Sequence, residues 1–315
     1  VERRIEQIFE GGRAAGRVHL APFVCGGHPG TGMLGVILRG LERGGAALAE
    51  VGFPYSDPIA DGPTIAAAMH EALSRGTTVA SVMEEVRVAR AKGMVSGRFG
   101  LVAMASVSLV RRAGKDAAGD SVFMARAKAS GFDAVLLPDV PLEEAVPYRQ
   151  AADRAGLTFP MLVSPTTPPA RIAEIVGVAT GFVYVLARTG ITGEQADAPQ
   201  VAGIAGRVRQ ATTLPIVCGF GISTPSHARA ASAHVDGVIV GSAVVRRLAA
   251  AAGSGRDAMG AVEAEAEAMA REFCDAMPAK APVVAAAGAA PAGAAPAGAA
   301  AVVAPVGGAA GGGAA

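Results

Sequence analysis

The chain contains no tryptophan and only three tyrosines among its 315 residues. Ten phenylalanines are its other aromatics, so a core built from this sequence has to be mainly aliphatic. Cysteine is scarce as well. Cys25, Cys218 and Cys274 show no metal-ligand spacing and leave one thiol over in any disulfide scheme. A reduced, cytoplasmic protein is the simpler inference. Excess charge of one sign is also missing. The 28 basic and 27 acidic residues leave a net charge of +1, which argues against nucleic acid or an anionic membrane as a partner. Long hydrophobic runs are absent too. The mean hydropathy of +0.39 owes much to alanine, and apolar runs are broken by Gly, Pro or charge before they reach the length of a membrane span. The opening residues, Val1 to Glu6, are charged and lack the apolar stretch of a signal peptide. After Lys280 there is no charged residue, and 281–315 consists only of Ala, Gly, Pro and Val. Such small side chains cannot bury a core, so 280–315 is expected to be a disordered, linker-like tail behind a domain spanning 1–279.

Within that domain the pattern is repetitive. A helix over 2–16 precedes strands expected at 18–24, 46–51, 99–104, 134–137, 159–163, 182–186, 214–218 and 237–240, with helical segments between them. Thr31 is the expected cap of the first intervening helix. Eight short, aliphatic, unalternating strands each followed by a helix predict a (β/α)8 TIM barrel with an extra N-terminal helix. A doubly wound sheet is the alternative, but the first strand–helix turn lacks the G-x-G-x-x-G such a sheet would carry.

One stretch dominates the chemistry. From Glu50 to Thr64 the sequence reads Glu-Val-Gly-Phe-Pro-Tyr-Ser-Asp-Pro-Ile-Ala-Asp-Gly-Pro-Thr, in which three prolines and two glycines stiffen a loop bearing Glu50, Asp57 and Asp61. A carboxylate at a strand end facing another on a rigid loop suits proton transfer. The same residues on an ordinary surface loop would simply be solvated acids. Later in the chain Gly219-Phe220-Gly221-Ile222-Ser223 follows strand seven, and Gly241-Ser242 follows strand eight. Paired glycine turns at this end of a barrel fit a phosphate cradle, with backbone N–H groups and a helix N-terminus turned to the anion. No second His or Cys stands at ligand spacing from His28, so no metal site is expected.

The stretch from Glu50 to Pro63 resembles the signature of the tryptophan synthase α-subunit family, with Val51 and Tyr55 at positions where the family has Leu and Phe. Tyr184 to Gly193 is similar to a second family motif, with Ala187 in place of Ser, and Leu137-Pro138-Asp139-Val140-Pro141 to a third. The resemblance covers about 2–277. It implies retro-aldol cleavage of indole-3-glycerol phosphate to indole and glyceraldehyde 3-phosphate, in tryptophan biosynthesis. It also implies roles. Glu50 would transfer protons and Asp61 would hold the indole N–H. Phe23 would line the indole pocket, Tyr184 would stand near Glu50, and Phe220 would sit beside the phosphate glycine. Thr192 would assist Asp61, while Gly193, Gly221, Gly241 and Ser242 would hold phosphate. No cofactor is implied in this chain. Pyridoxal phosphate is expected only in a β subunit, the partner of an α2β2 heterotetramer; Pro54 and Asp57 match positions on the loop that communicates with it, and Asp139 matches one that is either structural or part of that communication. Two departures stand out: His28 replaces the family's usual Asp, and Met104-Ala105-Ser106-Val107-Ser108 replaces Y-x-N-P-V. The second is expected to loosen the strand-three turn and weaken coupling to a partner. Together the two departures leave room for a catalytically weak barrel that mainly activates a β subunit, and the glycine cradle taken alone would also fit another phosphate-binding barrel lyase or isomerase.

Overall fold

The computed structural model describes residues 3–58, 61–115, 117, 121–187, 201–254 and 257–279, within a compact unit spanning Val1–Val283. Its strands are β1 (His19–Cys25), β2 (Leu48–Gly52), β3 (Gly100–Met104), β4 (Ala134–Leu136), β5 (Met161–Val163), β6 (Val183–Leu186), β7 (Ile216–Gly219) and β8 (Gly237–Val240). Twelve helices are described. They are α1 (Arg4–Ala14), α2 (Leu34–Arg43), α3 (Pro63–Ser74), α4 (Val79–Ala91), α5 (Val107–Ala113) and α6 (Val122–Ser130) in the first half. The second half holds α7 (Leu142–Arg154), α8 (Pro169–Val178), α9 (Ala202–Ala211), α10 (Pro225–Ser232), α11 (Ser242–Ala252) and α12 (Ala258–Ala276).

All the strand pairs are parallel, in the order β4-β3-β2-β1-β8-β7-β6-β5. The two outer members meet through a parallel bridge between Ala134 and Thr158. There Val135 N–H donates to Thr158 at 2.9 Å and Thr158 N–H donates to Asp133 at 3.0 Å. This closes the sheet into the expected (β/α)8 barrel. Almost every strand residue is buried, on whichever face it lies, which is why the sequence shows aliphatic runs instead of alternation.

Alternation still decides which side chains enter the barrel. On β2, Leu48 joins the inner cluster while Ala49 and Val51 join the layer under the helices. Glu50 therefore points inward. By the same rule Phe23 faces inward from β1 and Tyr184 from β6, both within the inner cluster. The N-terminal mouth is plugged by α1. Phe9 packs against the rings of His19 and Phe182 at centroid distances of 5.6 and 5.9 Å. Arg4 and Arg90 converge on buried Asp133 beside it.

Two local expectations are corrected. Thr31 does not cap α2, whose N-cap is Met33 with no side-chain bond. Instead Glu85 of α4 accepts the N–H groups of Gly32 and Leu34 at 2.9 and 3.1 Å, so the carboxylate that satisfies the helix start comes from a neighbouring helix. Nor is the segment after β3 a loosened turn. It starts α5, with Ser106 as N-cap accepting from the Ser108 N–H. Asp139 accepts from the Ser106 hydroxyl at 2.6 Å and from the Val107 N–H at 2.8 Å. A proline at 107 could not make the second bond. Among the described residues, no helix is long and apolar enough to cross a membrane.

Candidate active site

With α1 across the N-terminal mouth, the cavity opens where the strands end. Its lining includes Phe23, Glu50, Asp61, Tyr184, Phe220, Gly221, Gly241 and Ser242, eight of the ten residues singled out from the sequence. The other two, Thr192 and Gly193, lie outside the described residues. The pocket has a volume of about 450 Å³ including its open mouth. Ile65, Met104, Ile222 and Ile239 also line it and were not picked out as site residues. Each is an apolar residue near a strand or helix end, and from sequence such residues look like ordinary core.

Glu50 is the least ordinary group in this pocket. It is 2 % exposed, and its Oε1 is buried without a hydrogen-bond partner. Burial, and then the nearby Asp61 charge, push its pKa up to about 8. At neutral pH Glu50 therefore holds a proton. Asp61 lies on the loop between β2 and α3, where Pro63 starts the helix. Burial pushes its pKa up to about 6, opposed by the Tyr55 hydroxyl, which donates to Asp61 Oδ2 at 3.5 Å. At pH 7 Asp61 is mostly ionised. Two carboxyl groups sharing one cavity are thus held in different protonation states by their surroundings, which separates an acid role from an anionic one.

The aromatic walls depend on glycines in neighbouring strands. A Cβ on Gly219 would lie 2.1 Å from the Tyr184 hydroxyl, and a Cβ on Gly52 would lie 2.5 Å from the Phe23 ring. Either ring would have to move if its glycine carried a side chain. Burial, and then the Glu50 charge, raise the Tyr184 phenol well above its ordinary value, so it remains a neutral hydroxyl. Opposite the carboxyl groups, Phe220 and Gly221 both take left-handed backbone conformations, with φ of 68° and 83°. Gly241 then precedes α11 without any side-chain cap on the helix start. The free N–H groups of that first turn and the Ser242 hydroxyl form an anion-attracting edge to the pocket. Among the described residues no group of three or more His, Cys, Asp or Glu could hold a metal ion. The Asp139 match found in the sequence lies apart from this pocket, on a second groove shared with Pro54, Tyr55, Asp57 and Ser106.

Comparison with known proteins bears on the whole domain. The family model described as "Tryptophan synthase alpha chain" matches residues 9–274. The tryptophan synthase alpha chain of Chloroflexus aurantiacus is 41% identical over 246 residues, covering 78% of this chain and 90% of that one. Its counterpart in Gloeobacter violaceus is 42% identical over 251 residues, covering 79% and 88%. Among solved structures, tryptophan synthase subunit alpha from Legionella pneumophila superposes with a TM-score of 0.75 at 28% identity, covering 88% of this chain and 99% of that one. A chain of the Mycobacterium tuberculosis tryptophan synthase structure in its aminoacrylate-bound form gives 0.73 at 28% identity, covering 88% and 100%. A family match over nearly the whole barrel, with relatives above 40% identity aligned along most of their own length, leaves one assignment: the chain belongs to the tryptophan synthase alpha chain family.

Proposed function

We propose that this chain is a carbon–carbon lyase that cleaves indole-3-glycerol phosphate to indole and glyceraldehyde 3-phosphate, with Glu50 and Asp61 as its working groups. The observation that carries the proposal is Glu50 itself, protonated and buried, with an unpartnered oxygen in the pocket wall. The protonated carboxyl donates its proton to C3 of the indole ring, and the positive charge that spreads to the ring nitrogen is stabilised by the Asp61 carboxylate. Glu50, now anionic, takes the proton of the side-chain hydroxyl adjoining the ring. As that oxygen becomes a carbonyl, the carbon–carbon bond breaks and its electron pair returns to the ring. Indole leaves, the aldehyde is formed, and Glu50 holds a proton again. Atoms and charge balance without a redox partner, so the chemistry asks for no cofactor in this chain. Gly221, Gly241 and Ser242 bind the phosphate and supply the remote binding energy that aligns the reacting carbon.

The intact pair of carboxyl groups favours catalysis over a purely activating role, and a different phosphate-binding lyase would have no use for the pair. A β subunit, which would carry the pyridoxal phosphate, is the partner we propose, in an α2β2 assembly. The groove bearing Pro54, Asp57, Ser106 and Asp139 is the surface we assign to it. The three free cysteines are in keeping with a cytoplasmic setting. The test is indole release from indole-3-glycerol phosphate, measured with and without the cognate β subunit. Release that depends on Glu50 supports the reading. No release at saturating partner would overturn it.

A further inference from the structure

We infer that Met104 determines which ring-substituted indoles this site accepts. The inference rests on the preceding reading of the substrate. β3 and β7 stand four places apart in an eight-stranded ring, whichever way round it is counted. The phosphate edge after β7 and β8 is therefore on the opposite side of the barrel from Met104, which ends β3 and lines the pocket. A substrate anchored by its phosphate spans the mouth and presents its ring to the β2–β4 wall. There Asp61 holds the ring nitrogen and Glu50 works at C3, so the carbocyclic edge is the part left to meet Met104. Phe23 completes the slot, because its ring lies over Gly52, the residue paired directly with Met104.

Among the described residues lining the pocket, Met104 is the one unbranched, flexible apolar side chain. The others are aromatic rings, isoleucines stiff at χ1, glycines, or the polar groups already given roles. A thioether with three rotatable bonds can swing aside for a substituent and still pack against an aromatic face. A tyrosine, which the resembled motif carries at this position, is planar and rigid and would fill the slot in one way.

The test runs in the condensation direction, with glyceraldehyde 3-phosphate and either indole or one of the 4-, 5-, 6- and 7-methylindoles. The readout is the ratio of kcat/KM for each methylindole to that for indole. A methyl group in an apolar pocket discriminates by roughly 10–200-fold. Met104→Tyr is therefore expected to lower the ratio at one or more ring positions by at least about tenfold relative to the unsubstituted chain. Should tyrosine prevent folding, judged by circular dichroism, Met104→Phe carries the test with the same criterion. A ratio that falls less than this at every ring position overturns the role given to Met104. Absence of condensation with indole itself, in the unsubstituted chain, is a separate result and removes the proposed function along with this inference.

Discussion

Replacing Glu50 by glutamine is expected to stabilise the protein at neutral pH while removing its activity. In the folded chain the carboxyl loses its proton near pH 8, whereas the unperturbed value is 4.5. Between those values the unfolded chain binds fewer protons than the folded one, so stability falls as pH rises through that window. At pH 7 the cost of keeping Glu50 protonated is roughly 3 kcal/mol, at about 1.4 kcal/mol per pH unit. Glutamine removes that cost but buries an amide whose N–H groups find few partners, which returns about 1–2 kcal/mol. The net gain is about 1–2 kcal/mol at pH 7 and about 2–3 kcal/mol at pH 8; it is gone by about pH 5.5, and at pH 4.5 the glutamine variant is the less stable by about 1 kcal/mol. Chemical denaturation of both proteins at pH 4.5, 6 and 8 measures it. Turnover of indole-3-glycerol phosphate falls by about 10²–10⁴ in the same variant, because no acid or base remains at the bond to be broken. For the unsubstituted chain, kcat/KM should rise with pH as Asp61 ionises near 6 and fall as Glu50 ionises near 8. A stability difference that does not change between pH 4.5 and 8 would refute the account of Glu50 as a buried, protonated group. Near-normal turnover in the variant would refute its role in catalysis.

Gly219→Ala should displace the Tyr184 ring, since the new methyl would sit 2.1 Å from its hydroxyl. A loss of about 1–3 kcal/mol in stability and a lower kcat are expected, and an unchanged melting temperature would show that the ring has room. Gly241→Asp has space for its Cβ, which would lie 3.4 Å from Ile65, so its effect is electrostatic. Binding of glycerol phosphate, followed by calorimetry, should weaken at least about tenfold as a carboxylate meets the anion. An unmoved Kd would displace the phosphate edge. Deleting 281–315 is expected to leave melting temperature and turnover unchanged, because a segment without bulky or charged side chains adds little to any packed surface. A fall of several degrees would show that it docks.

The barrel was legible in the sequence, and so were most of the residues that line its candidate pocket. Eight aliphatic runs separated by helical segments are local patterns, and parallel strands buried on both faces have to look that way. Glu50 could be singled out because a carboxylate at the end of such a run is chemically out of place there. The features that no local pattern could supply depend on partners far along the chain. Glu50 and Asp61 carry different protonation states because the closed barrel buries one more deeply than the other. The start of α2 is satisfied by Glu85, 53 residues from Gly32. The helix after β3 is tied at Ser106 by Asp139, 33 residues away. Met104 and Ile239 lie in the cavity lining, while Val238 belongs to the layer beneath the helices. All are apolar strand residues. Whether such a side chain packs or meets a substrate is set by its height and facing in the closed barrel, and no local pattern records that.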